Sequence, residues 1–71
     1  MQKITVVWTD SNRYIEQCHI DDEFSFVTIK STGWLVIKDK DKIVLCQDII
    51  GDDIRGVLVI PMDNVKKIES L

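Results

Sequence analysis

Catalysis needs a nucleophile, a base or a set of metal donors within reach of one another, and few residues here qualify. His19 is the one histidine, and so the one ordinary base near neutral pH. No nucleophile motif surrounds Ser11, Ser25, Ser31 or Ser70. Cys18 adjoins His19, but neighbouring residues of a strand point to opposite faces and do not converge on one metal. Cys46 can meet Cys18 only if their strands pair. That would supply two thiols without the third and fourth ligands of a structural zinc site. Both cysteines are therefore read as reduced, apolar core residues. The acidic groups Asp21-Asp22-Glu23 and Asp48 with Asp52-Asp53 lack the spacing of a calcium loop and read as solvated turns. Gly33, Gly51 and Gly56 are too scattered to cradle a phosphate. The expectation is a protein that is not an enzyme, with no catalytic residue, no metal and no cofactor.

Binding chemistry has better candidates. Trp34, Lys38, Lys40 and Lys42 share one parity, and on an extended hairpin they would set lysines beside a stacking ring, as single-stranded nucleic acid requires. Asp39 and Asp41 interrupt that row, and charged hairpin tips serve solubility and block strand addition. Trp8, Tyr14 and Trp34 can each anchor an interface or fill a core.

The elements that must carry these residues read as short strands. Lys3 to Trp8 is β-branched and ends in the turn cluster Thr9-Asp10-Ser11-Asn12. Arg13 to Ile20 alternates loosely and predicts a second strand. In Glu23 to Lys30 the apolar parity changes midway, which predicts a bend or bulge. Gly33 is expected to break the chain before Trp34-Leu35-Val36-Ile37. Asp39-Lys40-Asp41 reads as a hairpin tip, Ile43 to Cys46 as the returning strand, and Asp48 to Asp53 as an irregular connection. Val57 to Ile60 is the strongest strand signal. Pro61 ends it, Met62-Asp63-Asn64 makes one 3₁₀ turn, and Val65 to Glu69 closes the chain. No stretch keeps a helical period over ten or more residues. Residues 1–71 are expected to form one domain, and five or six strands in that length fit a small antiparallel barrel better than a sandwich.

The segment Val57-Leu58-Val59-Ile60-Pro61-Met62-Asp63-Asn64-Val65-Lys66-Lys67-Ile68-Glu69 resembles the end of SH3-like and Sm-like barrels, in which a strand, a single 3₁₀ turn and a short closing strand follow one another. The resemblance implies an all-β, five- to six-stranded antiparallel barrel. It adds a second functional expectation, an Sm-like binder of single-stranded nucleic acid through Trp34, Lys38, Lys40 and Lys42.

The strands themselves point elsewhere. A lone barrel is dry inside and wet outside, so its strands alternate. Trp34-Leu35-Val36-Ile37, Ile43-Val44-Leu45-Cys46 and Val57-Leu58-Val59-Ile60 are apolar on both faces. With no helices to cover the second face, it is either an association liability or an interface. The alternative is that loop residues such as Ile49 and Ile50 cover it from within. A domain this small buries only about 60% of the surface its unfolded chain exposes, so an added interface matters to its stability. The first expectation is a non-enzymatic binding or assembly module that forms a homo-oligomer or docks on a protein partner through Trp34, Val36, Val57 and Val59.

Composition narrows the field further. Nine basic residues face twelve acidic ones, for a net charge of −3, so the overall field opposes general nucleic-acid binding. The N-terminal apolar run is too short for a signal peptide, and no stretch approaches the roughly 20 apolar residues of a membrane helix. A cytoplasmic protein without membrane contact is expected. A phage or mobile-element inhibitor, or a nucleotide-sequestering protein with a pocket between subunits, is the remaining alternative.

Overall fold

The computed structural model describes residues 1–10, 17–21 and 26–71. The chain is all-β, with seven strands and one 3₁₀ turn among the described residues. The strands are β1 (Lys3–Asp10), β2 (Val27–Lys38), β3 (Lys42–Cys46), β4 (Asp48–Ile50), β5 (Asp53–Arg55), β6 (Leu58–Pro61) and β7 (Val65–Ser70), and the 3₁₀ turn is Met62–Asn64. Five of them form an antiparallel sheet in the order β6-β3-β2-β1-β7, and β4 and β5 form a separate two-stranded hairpin. The two edge strands, β6 and β7, follow one another in the chain through the 3₁₀ turn. No pairing closes the sheet into a barrel among the described residues.

Alternation decides the inner face. Ile4, Val6 and Trp8 of β1 stand opposite Gly33, Ser31 and Ile29 of β2, and Val6 and Trp8 also face Ile68 and Val65 of β7. Leu35, Leu45 and Leu58 line up across β2, β3 and β6, with Ile43 opposite Ile60. Ile4, Val6, Trp8, Ile43, Leu45 and Ile60 are buried and form the core. The Trp8 indole N–H donates to Ser31 Oγ at 3.0 Å, which satisfies the one polar atom that the ring brings inward.

Several expectations change. Gly33 does not break a strand; it lies inside a continuous twelve-residue β2. A Cβ on Gly33 would stand 2.8 Å from the Cys46 carbonyl oxygen, so only glycine lets β2 and β3 approach this closely. Asp48 to Asp53 is not irregular but contributes to the β4–β5 hairpin. Its Gly51-Asp52 turn places Gly51 at φ 61°, the positive value that the first position of a II′ turn requires. Of the expected strand Arg13–Ile20, residues 13–16 lie outside the described residues, and 17–20 are not strand. The parity change expected in Glu23–Lys30 falls partly on residues 22–25, also outside them. Cys46 is buried, but Cys18 is exposed rather than in the core, and no disulfide joins the two.

The C-terminal reading fits closely. Met62–Asn64 is the 3₁₀ turn, and Pro61 is the last residue of β6. Asn64 ties this turn to β1 by donating its Nδ2–H to the Thr9 carbonyl at 2.9 Å.

Candidate interface on the outer face

The outer face of the sheet is built from the residues that alternate with the core. On the β1–β7 side it is polar. Thr5 and Thr32 stand opposite each other with their hydroxyls 2.7 Å apart, and Lys67 pairs with Glu69 at 3.3 Å. Lys3 lies opposite Trp34, with its ammonium 5.6 Å from the ring centroid, a cation–π contact at the border of this region.

Beyond Trp34 the same face turns apolar. Trp34 stands opposite Cys46, which is fully buried although it points outward. One step along, Ile37, Val44 and Val59 form a single row across β2, β3 and β6. Val44 is buried, while Ile37 is 43% and Val59 56% exposed. Val57, just before β6, continues the outward parity of Val59 and is 51% exposed. Three of the four residues expected at an interface, Trp34, Val57 and Val59, thus share this patch. Val36 is half-buried and sits where the β2–β3 register shifts between Leu35 and Ile37. Ile37 and Val44 complete the patch. Both lay in the apolar runs, but parity alone did not assign Ile37 outward, because the bulge reverses it.

That bulge also separates the lysine row. Trp34 stands opposite the outward Cys46, whereas Lys38 stands opposite the inward Ile43, so the two are on opposite faces. Lys40 is at the hairpin tip. Lys42 Nζ lies 3.3 Å from Asp39 Oδ2. Asp39 is the organiser of that tip: its Oδ1 accepts the N–H groups of Asp41 at 2.8 Å and Lys42 at 2.9 Å. These backbone donors, helped by the Lys42 ammonium, hold the Asp39 carboxyl below the usual aspartate range.

Ile49 and Ile50 do not cover the outer face by burying themselves on it; they are 43% and 53% exposed in the β4–β5 hairpin. Arg55 Nε donates to Asp48 Oδ2 at 3.0 Å across that hairpin. The hairpin is tied to the start of β6 through Gln47, whose N–H is shared by the carbonyls of Arg55 and Gly56.

Among the described residues, those considered for catalysis do not come together; Ser11 and Ser25 lie outside the described residues. His19 is exposed beside Asp21, whose N–H it accepts at Nδ1, a local turn contact. Ser31 is the partner of the Trp8 indole. Among the described residues, no three His, Cys, Asp or Glu side chains converge as metal donors, and no helix is long and apolar enough to cross a membrane. No protein-family model, curated protein or solved structure matches the chain.

Proposed function

We propose that this chain is a non-enzymatic binding and assembly module, an SH3-like or Sm-like small barrel that self-associates through the outer face of β2, β3 and β6. The supporting observation is the continuous apolar row Ile37–Val44–Val59, flanked by Trp34 and Val57, on a face that a lone domain keeps polar. The order β7-β1-β2-β3-β6, with its two edges joined by the 3₁₀ turn, supports the barrel reading. Curling the sheet until β6 approaches β7 would enclose the core already gathered on its inner face. The separation of Trp34 from Lys38 weighs against a nucleic-acid surface built on the lysine row.

The test is a concentration series by native mass spectrometry and sedimentation, comparing the wild type with Val59→Lys. Val59 is more than half exposed, so the fold should tolerate the change, and circular dichroism checks that it does. A defined wild-type multimer that Val59→Lys reduces to monomer is the expected result. A wild type that stays monomeric at every concentration overturns the reading.

A further inference from the structure

β2 outruns its neighbour on one side. β1 pairs with it from Trp34 back to Val27, but β3 meets it only from Trp34 to Lys38. β3 ends at Cys46, and Gln47 turns away, its N–H shared by the carbonyls of Arg55 and Gly56. Residues 27–33 therefore have β1 on one side and, among the described residues, no strand on the other. Successive residues of a strand aim their backbone polar groups to alternate sides. Leu35 donates its N–H to the Gln2 carbonyl at 2.7 Å, so the odd-numbered residues of this stretch serve β1. The even-numbered ones, Thr28, Lys30 and Thr32, aim at the open side. The Thr32 carbonyl does so visibly, accepting the Gln47 side-chain amide at 3.0 Å. Gln47 thus caps one end of the lane that β3 vacates. Further along that lane, Thr28 and Lys30 are exposed and present their N–H and C=O groups to no strand among the described residues.

We propose that this edge of β2 binds an extended segment of another protein, laid antiparallel along residues 27–31 in the lane of β3. Antiparallel is the sense of every neighbouring pair in the sheet. The segment would exchange N–H and C=O bonds with Thr28 and with Lys30. Its side chains are set by what flanks the edge. Val27 is 39% exposed and Ile29 is half-buried against the core, so on that face the segment must be apolar. Lys30 is the one charged side chain in 27–33 and lies on the outer face, opposite Val7. The partner residue across from it is therefore acidic, since opposite charges facing each other across a ladder stabilise the pairing. A second copy of the chain is a poorer occupant. Its residues 27–33 hold no carboxylate to answer Lys30, and a two-fold centred there sets lysine on lysine. Along 27–33 there is neither a proline nor a register shift with β1 to stop a strand from adding. The edge is separate from the outer face of β2, β3 and β6, so the proposal does not depend on self-association.

The test uses the Val59→Lys protein, to keep outer-face association out of the reading, and a blocked synthetic peptide, Ser-Val-Glu-Ile-Thr-Val-Ser. Laid antiparallel, the peptide sets its Glu opposite Lys30 and its Ile opposite Ile29. NMR of the backbone amides follows binding. The Thr28 and Lys30 amides should shift and gain protection from hydrogen exchange, whereas Ile29 and Ser31, already on the β1 side, should change little. Lysine in place of the peptide's Glu should weaken binding about fivefold. Thr28→Pro removes an N–H on the open side alone, where an edge tolerates proline, and should weaken binding about tenfold with the fold intact by circular dichroism. If that variant misfolds, N-methylation of the peptide's Glu blocks the same ladder from the other side and leaves the protein unaltered. Any of four results overturns the proposal. The amides may stay unshifted at millimolar peptide. Thr28 and Lys30 protected in the peptide-free monomer would mean that the rest of the chain covers the edge. Equal binding of the Glu and Lys peptides would remove the charge argument. A Val59→Lys dimer that Thr28→Pro breaks would make a second copy the occupant. The outer-face reading is judged separately, by whether the wild type and Val59→Lys differ in assembled mass.

Discussion

One sheet presents two different outer faces. Over β1 and β7 the outward residues are Lys3, Thr5, Thr9, Lys67 and Glu69, with Val7 the single aliphatic among them. Over β3 and β6 they are Lys42 at the tip end, then Val44, Cys46, Val59 and Pro61, joined by Trp34 and Ile37 from β2. The inner face does not differ in this way; Val6 and Trp8 under one half are as apolar as Leu45 and Ile60 under the other. The two halves thus share one folding problem and diverge in what they show to the surroundings. Folding explains the core and the polar half. It does not explain the apolar outer half, where half-exposed aliphatic side chains gain little from the monomer's own packing. The edges repeat the contrast. β7 carries Lys66, Lys67 and Glu69, charges that keep an edge from pairing, whereas β6 is guarded only by its shortness and by Pro61.

The sharpest way to test this division is to substitute the two faces of a single stretch of sheet. Leu45 is fully buried between Leu35 and Leu58, and Leu45→Ala should cost about 2–5 kcal/mol, enough to unfold so small a domain or nearly so. Val59→Ala, on the opposite face of the same wall, should leave the stability of the dilute monomer within about 1 kcal/mol of wild type, since surface changes are small. It should still weaken association. Thermal melts at low and high protein concentration separate the two effects. Equal losses from both substitutions at low concentration would mean that the outer patch is part of the monomer's core, and the division would collapse.

Gly33→Ala should have the next largest effect. The new methyl would meet the backbone oxygen of Cys46 at 2.8 Å, and backbone cannot swing aside as a side chain does. Overpacking of this kind costs typically about 1–3 kcal/mol. Because Gly33 lies where β2 joins the polar half to the apolar half, pushing β2 from β3 should also disturb the Trp34–Cys46 contact. Denaturant unfolding gives the stability change, and the thiol reactivity of Cys46 gives the local one. A Gly33→Ala variant of wild-type stability, with Cys46 still protected, would show that the close approach is not required.

Ser31→Ala is a smaller probe, confined to the inner face. It removes the acceptor of the Trp8 indole N–H without changing the apolar packing, and should cost about 1 kcal/mol. Tryptophan fluorescence, read in a Trp34→Phe background so that Trp8 alone emits, reports the loss. Association should be unchanged, because the substitution touches nothing on the outer face.

Much of this arrangement was legible in the residues themselves. The unbroken apolar runs at 34–37, 43–46 and 57–60 could not belong to a simple wet-and-dry barrel wall, and they form the apolar half. Pro61 and the Met62-Asp63-Asn64 triplet after it marked the 3₁₀ turn. The β4–β5 hairpin was signalled by Gly51-Asp52 between two pairs of residues able to form strands, but Asp-rich sequence made it look like loop. The placement of Gly33 inside a strand was not legible, because the approach of Cys46 that requires it is a tertiary contact. The register shift at Val36 was not legible either. A single bulge inverts every face beyond it, which is why Lys38 separates from Trp34 and Ile37 joins the outer patch. Exposure of Cys18 depends on the path of residues 17–21, which no period reveals.

The smallest expected effect concerns the β2–β3 tip that bounds the apolar half. Asp39 accepts two backbone N–H groups and faces Lys42, and all three favour its ionised form. Its folded pKa is thus depressed below its unfolded value of about 3.9. A depressed carboxyl contributes stability that is full above the unfolded value and lost as pH falls through the folded one. Asp39→Asn keeps an oxygen to accept the backbone N–H groups but removes the charge. The wild type should therefore hold a small stability advantage over Asp39→Asn at neutral pH and lose it only below the ordinary aspartate range. The site is exposed, so solvent screens the effect. NMR titration of the Asp39 carboxyl and paired thermal melts of the two proteins read it out. A midpoint at or above the ordinary aspartate value would mean that the tip is not held by Asp39.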